Sequence, residues 1–417
     1  MHDVAVIGAG PYGLSIAAHL AKTGLDARIF GTPMQTWRSR MPAGMKLKSE
    51  GFASRLYDPD GQYPLARHCA EQGLPYAAIG LPVTLDIFTD YGLAFQRKFV
   101  PGLEDKQVVS VVPHAGGGFT LTLDNGESAQ FRKVVVAVGI SHYAYTAPEL
   151  SGLPGDLVSH SATHADLSGF AGKTVAVVGG GASAADCAAL LAQAGATTHI
   201  VTRRASLGFH APPRRRSLLD RVRAPFTTIG PGWKSVLCTR APLLFHIMPE
   251  AFRLKVTRRY LGPAPCWFVR DEIERNVTIH TGMKITGVSE QGGRAVLALE
   301  GAGGPATLAA DHIIAATGYR VDLARLAFLG PALLRRIRMV DNTPILSRHF
   351  EASVPGLYFV GVASANAFGP MVRFACGAGF TARRLVRRLT QTAAVARPAR
   401  DMARAGGFGT GQAASEV

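Results

Sequence analysis

Three glycines at G-x-G-x-x-G spacing, Gly8, Gly10 and Gly13, follow the apolar run "DVAVI" and open the stretch "LSIAAHL". That spacing suits a phosphate. The first glycine makes a tight turn, the second lets backbone approach a pyrophosphate, and the third lets a helix pack on a strand. A second set, Gly179, Gly181 and Ala184 with Ser183 among them, repeats the pattern as G-x-G-x-x-A. The residue that closes the second strand of each unit selects the nucleotide, because an acid there bonds a ribose 2′-OH and repels a 2′-phosphate. In the first unit Gly31 holds that place, and Asp26 stands too early in the strand to substitute. In the second, "THIVT" runs into Arg203 and Arg204, whose guanidinium groups suit a 2′-phosphate in a charge-assisted, often bidentate contact. Two dinucleotide units in one chain imply a flavin and a nicotinamide held face to face, FAD on the first unit and NADPH on the second.

Positioning those turns takes strand–turn–helix–strand units, and "DVAVIGAGPYGLSIAAHLAKTGLDARIF" and "KTVAVVGGGASAADCAALLAQAGATTHIV" both have that pattern. The implied fold class is α/β, with two Rossmann-like dinucleotide-binding domains: a discontinuous FAD domain and an inserted NADPH domain. The expected boundaries are 1–150 and 311–390 for the two parts of the FAD domain, 151–310 for the NADPH domain and 391–417 for a flexible tail. A Pro- and Arg-rich segment, 208–265, is too irregular for a Rossmann helix and is expected to line or cover the site. "LDNGE" marks a hairpin turn within 107–139, and 277–300 has strand character.

The 417 residues are 47% hydrophobic and 18% charged, which suits two or three globular domains. No apolar run reaches the ~18 residues of a bilayer span. "MHDVAVIGAG" enters a strand with no leader before it, so a cytoplasmic location is expected. Cys69, Cys187, Cys238, Cys266 and Cys376 are scattered without a C-x-x-C, which fits a reducing compartment and disfavours a disulfide reductase. The net charge of +16 could attract nucleic acid, a membrane surface or phosphorylated ligands, yet no nucleic-acid module accompanies it. The expected partners are a small-molecule substrate and O2, with no nucleic acid and no membrane; a homo-oligomer is left open.

"GAGPYGLS", "GGGASAAD" and above all "AATGYRVD" resemble the class B flavoprotein monooxygenases, the flavin-containing and N-hydroxylating enzymes. The resemblance spans about residues 1 to 390. It implies that the Ala316-Thr317-Gly318-Tyr319 element links the nicotinamide domain back to the flavin domain, with Thr317 and Gly318 at the cofactors. "GLYFVG" resembles the late flavin-binding strand ending at Gly361, although Val362 follows where many flavoproteins place Asp. "GTPMQTWRSRMPAGMKLKS" is similar to the region that reaches the isoalloxazine, which makes Trp37 and Lys48 flavin-side contacts. Ser49 stands roughly where the flavin-containing enzymes carry an Asn near the reactive flavin carbon, and Asn366 in the loop expected to meet the flavin ring. These two are the catalytic candidates.

The family chemistry implied is oxygenation of a small organic substrate, N-hydroxylation or another heteroatom oxidation, through a flavin C4a-(hydro)peroxide. "LPGDLVSH" departs from the F-x-G-x-x-x-H element of these enzymes by Leu153 and one extra residue between Gly155 and His160, which weakens a Baeyer–Villiger assignment. His160 and His164 lack further ligands for a metal and are expected to be structural. Arg214, Arg215 and Arg216 suit either an acidic ligand or a solvated loop. Two alternatives are an NADPH-dependent reductase that passes electrons to a partner or quinone, and a low-turnover flavoprotein redox sensor.

Overall fold

The first apolar run forms β1 (His2–Ile7), whose last four residues are buried. It pairs in parallel with β2 (Ala27–Phe30), and the helix Pro11–Leu20 makes the crossover between them. A computed structural model describes residues 1–214, 216–262 and 264–396; Arg215, Pro263 and the segment 397–417 lie outside the described residues. The stretch around "LDNGE" is an antiparallel meander of β3 (Val108–Pro113), β4 (Phe119–Leu123) and β5 (Ser128–Val136). β5 serves two neighbourhoods. Its first half pairs antiparallel with β4, and Val134–Val136 pair in parallel with a late strand, introduced below as β18. Its burial follows suit, half-exposed at first and then continuous, as a strand covered on both faces requires. The helix Leu85–Phe99, capped by the Thr84 hydroxyl, buries Leu85, Phe88, Tyr91, Gly92 and Phe95 on one stripe against this layer.

The second unit builds a separate parallel sheet. It contains β6 (Val158–His160), β7 (Thr174–Val178) and β8 (Thr197–Val201), with the helix Ala182–Gln193 between the last two. Successive residues of β7 alternate between two cores: Val175 and Val177 face the helix layer, and Ala176 and Val178 face a meander on the other side. Segment 208–265 holds a two-residue hairpin, β9 (Phe226–Thr227) and β10 (Gly230–Pro231), and four short helices, so it is less irregular than its composition implies. β11 (Val277–His280) then joins β8, and β12 (Lys284–Gln291), β13 (Arg294–Gly301) and β14 (Gly304–Ala310) form the covering meander.

β15 (His312–Ala315) corrects the expected boundary at 310. It is hydrogen-bonded between β7 and β6 in the second sheet, so the chain returns to the first domain only after Ala316. A four-residue apolar run carries no signal of which sheet it joins, and the boundary fell on the wrong side of it. A small hairpin, β16 (Met339–Val340) and β17 (Thr343–Pro344), precedes β18 (Leu357–Phe359), which completes the first sheet in the order β2-β1-β5-β4-β3 with β18 beside β5. The closing helix, Ala378–Ala396, runs past residue 391, where the tail is expected to begin; "TQTAAVA" is alanine-rich and favours continuation. Among the described residues no helix is long and apolar enough to cross a membrane.

Candidate cofactor and active site

The first glycine turn is fixed by backbone contact. A β-carbon on Gly13 would overlap the Gly8 carbonyl, and one on Gly8, at φ +110°, would overlap the Ala137 carbonyl. A β-carbon on Gly10 would meet nothing within 4 Å. Gly10 caps the helix Pro11–Leu20 without any side-chain hydrogen bond, so the first helical N–H groups face open space. Gly31 has φ +126° and lies 3.4 Å, at its would-be β-carbon, from the Ala9 nitrogen and the Gly8 Cα. The position that carries an acid in other dinucleotide folds is here held by a left-handed backbone pressed on the turn, a conformation that disfavours any side chain. Thr32 and Gln107, hydrogen-bonded to each other at 3.4 Å, line the cavity.

That open space is part of one cavity of about 1470 Å³ between the two domains. Gly8, Gly10, Trp37, Lys48, Ser49, Gly181, Ser183, Gly318 and Gly361, all singled out from sequence, line it. Gly13, Gly179, Ala184 and Thr317 lie behind the wall and shape it: a β-carbon on Gly179 would strike the Ala316 carbonyl, and the Thr317 hydroxyl donates to the Tyr145 carbonyl. Arg203 and Arg204 are outside this lining and exposed, and neither makes an ion pair among the described residues. The stem of Arg204 crosses the second turn, its Cδ lying 3.1 Å from where a Gly180 β-carbon would stand. Asn366 is also outside the lining. It is buried, and its amide donates to the Thr343 hydroxyl at 2.7 Å. Ser49 shares a 2.7 Å hydrogen bond with Ser54, and Trp37 packs edge-on against Phe88.

Lys48 makes a connection that sequence spacing did not show. Its ammonium reaches Asp186 Oδ2 at 3.7 Å, an ion pair from the first domain to the helix of the second glycine turn. Asp186 is buried, and its Oδ1 has no hydrogen-bond partner among the described residues. Burial pushes its carboxyl up to about 6, and the Lys48 ammonium pulls it back. The sequence signal was an acid in the otherwise small and apolar "ASAADCAALLA". The folded state therefore keeps a proton that the unfolded chain has released between pH 3.8 and about 6. Stability from this group falls as pH rises through that window and is flat above it. Asp186→Asn is expected to flatten that decline, read as Tm against pH.

Segment 208–262 roofs the cavity. Arg214, Arg216, Thr228, Ile229 and Tyr260 line it from above. Arg216 is turned back onto its own segment, donating to the Asp220 carbonyl at 2.8 Å. The roof is clamped to the first domain by Arg373, whose guanidinium donates to the carbonyls of Thr257, Tyr260 and Leu261 at 3.2, 2.7 and 3.3 Å. Arg253 returns the contact to the Asn366 carbonyl at 2.9 Å, and the Phe245 ring lies over Gly369. Sequence offered no signal for Arg373 beyond its charge. Arg373→Met removes three charged hydrogen bonds and is expected to speed limited proteolysis within 208–262 by ~10-fold or more, with the second sheet left intact, as mass spectrometry of the fragments would show.

His160 and His164 are both engaged in hydrogen bonds within the fold. His160 accepts from the Ala162 N–H at Nδ1 and donates from Nε2 to the Gly318 carbonyl at 3.0 Å, and His164 shares a 2.6 Å hydrogen bond with Ser159. All five cysteines are free and buried, and the two at the cavity, Cys266 and Cys376, are pushed up to about 11 by burial.

Two Rossmann-like units that share one interdomain cavity define a two-dinucleotide-fold protein, and the relatives agree. The chain belongs to the pyridine nucleotide-disulphide oxidoreductase family, matched over residues 2–222. It is 28% identical over 224 residues to the ferredoxin–NADP reductase of Granulibacter bethesdensis, covering 53% of this chain and 56% of that one. The chain thus spans little more than half the length of the curated relatives it matches. Its fold is similar to that of the ornithine N-hydroxylase from Kutzneria sp. 744, with a TM-score of 0.72 and 16% identity over 94% of this chain and 100% of that one. It is likewise similar to the bacillithiol disulfide reductase from Staphylococcus aureus, with a TM-score of 0.64 and 18% identity over 94% and 98%.

Proposed function

We propose that the protein is an FAD- and NADPH-dependent monooxygenase that places one atom of O2 on a heteroatom, nitrogen foremost, of a small organic substrate and releases the other as water. The observation that carries this reading is that both glycine turns open onto a single roofed cavity. The residues fit the cofactors. The uncapped helix end at Gly10 has room for a pyrophosphate, and the unpartnered Asp186 Oδ1 is an acceptor suited to an amide N–H. When bound, the flavin accepts hydride and activates oxygen. The chain's own residues do the rest. The helix ends at Gly10 and Gly181 hold phosphate, Arg203 and Arg204 hold the 2′-phosphate, and Lys48 with Asp186 orients the ring that enters between the domains. The roof at 208–262 keeps bulk water from the reacting centre.

The test is stoichiometry. The monooxygenase should consume one NADPH per hydroxylated product with one member of a panel of amines, sulfides and ketones, and release little H2O2 while doing so. The similarity to ferredoxin–NADP reductases favours a second reading, a reductase that hands electrons to a protein partner. H2O2 equal to NADPH with every compound, together with rapid ferredoxin reduction, would establish that reading instead.

A further inference from the structure

More than half of the exposed large hydrophobic side chains among the described residues fall between 218 and 252. Leu218 is 79% exposed, Val222 67%, Trp233 60% and Ile247 75%, so these side chains project from the protein rather than lean on it. Their placement is ordered. The helix Trp233–Arg240 buries Ser235 and Cys238 and leaves Trp233 and Leu237, four residues apart, on the outer stripe. The helix Pro242–Ile247 buries Pro242 and Phe245 and leaves Ile247 outside in the same way, and the helix Leu218–Arg223 buries nothing. The Trp233 indole N–H donates to the Val222 carbonyl at 3.2 Å, which ties the helix Trp233–Arg240 to the helix Leu218–Arg223 and brings their apolar residues side by side.

The charge on this face is net positive. Within residues 218–252 there are four Lys and Arg, Arg221, Arg223, Lys234 and Arg240, against two acids, Asp220 and Glu250, and Asp220 is taken up by the Ser217 hydroxyl. A second copy of the chain meeting this face across a two-fold axis would set like charge against like, because such an interface presents the same patch from both sides. An anionic surface with an apolar interior is complementary to both features. Basic side chains meet headgroups, while Trp, Leu and Ile enter the boundary with the acyl region.

We propose that the outer face of residues 218–252 docks on an anionic lipid surface. The expectation of no membrane partner rested on the lack of a spanning segment, and surface docking needs none. The proposal is independent of which reaction the cavity supports.

The test uses the full chain with its flavin and two vesicle preparations, phosphatidylcholine alone and phosphatidylcholine with phosphatidylglycerol. The protein should sediment with the second and not the first, and less so as salt rises. Trp233 should shift its emission to the blue on binding, and Trp233→Phe should remove the shift. Leu218→Ser combined with Ile247→Ser should lower the bound fraction roughly tenfold. Flavin content and NADPH oxidation without vesicles should not change, because neither side chain lines the cavity. Failure to sediment with either preparation overturns the proposal. So does equal binding by the double variant, and so does a concentration-dependent dimer that the double variant abolishes, since a second copy would then cover the face.

Discussion

Gly10→Asp is expected to yield a folded protein that purifies without flavin, whereas Gly13→Ala is expected not to fold. The two positions stand three residues apart in one turn and differ in what surrounds them. A β-carbon at Gly13 would lie inside the Gly8 carbonyl, both atoms belonging to backbone that a strand and a helix hold rigid. Nothing there can yield without parting β1 from its helix, and Leu14 and Ile16, wholly buried at that contact, would lose their packing. At Gly10 a side chain meets only the cavity, so the fold has no reason to change. A carboxylate there would occupy the helix end at which a pyrophosphate is to sit and would repel it, weakening flavin affinity by at least ~100-fold. Circular dichroism melting separates the two variants, and the ratio of absorbance at flavin and protein wavelengths reads occupancy. A Gly10→Asp protein that keeps its flavin would show that the pyrophosphate lies elsewhere.

The second large effect concerns nucleotide choice. Arg204→Ala, and Arg203→Ala beside it, are expected to raise KM for NADPH by ~10–100-fold and to leave KM for NADH nearly unchanged, as the loss of a charge-assisted contact to one phosphate requires. Arg204 is the stronger candidate, because its stem already crosses the glycine turn at Gly180. Neither guanidinium is engaged in an ion pair among the described residues, so both are available to a ligand. Equal losses with NADPH and NADH would move the arginines from ligand recognition to a general electrostatic role. Selectivity for NADPH that survives both substitutions would remove them from the site.

What could be read from sequence was what local geometry dictates. A glycine whose β-carbon would overlap a carbonyl has no alternative residue, so Gly8 and Gly13 announce the turn by type and spacing alone. The continuous apolar run Val175 to Val178 marks a buried strand in the same way, although only the fold shows that its residues alternate between two cores. The pairing of Lys48 with Asp186 could not be read this way, because it joins residues that are brought together only when two domains meet. β15 was misplaced for the same reason, since its hydrogen-bonding partners lie in β6 and β7, far back in the chain. Asn366 illustrates the opposite case. Its residue type suits a ligand contact, but a hydroxyl from the β17 hairpin, which no spacing foretells, takes up its amide. Segment 208–265 was opaque because its short helices draw their stability from clamps such as Arg373 rather than from a long periodic stripe.

The two passages of the chain between domains run side by side. Tyr145 donates to the Gly318 carbonyl at 2.9 Å, Arg320 donates to the Tyr143 carbonyl at 2.8 Å, and the Arg320 guanidinium lies 3.5 Å over the Tyr145 ring. A seam of two antiparallel threads stitched to each other yields to twisting and resists stretching. The two crossings are held together along that line, and the Lys48–Asp186 pair and the Arg373 clamp hold the domains to each other away from it. A cut in either thread would leave the other carrying the load, so a nicked chain would keep its two halves in register.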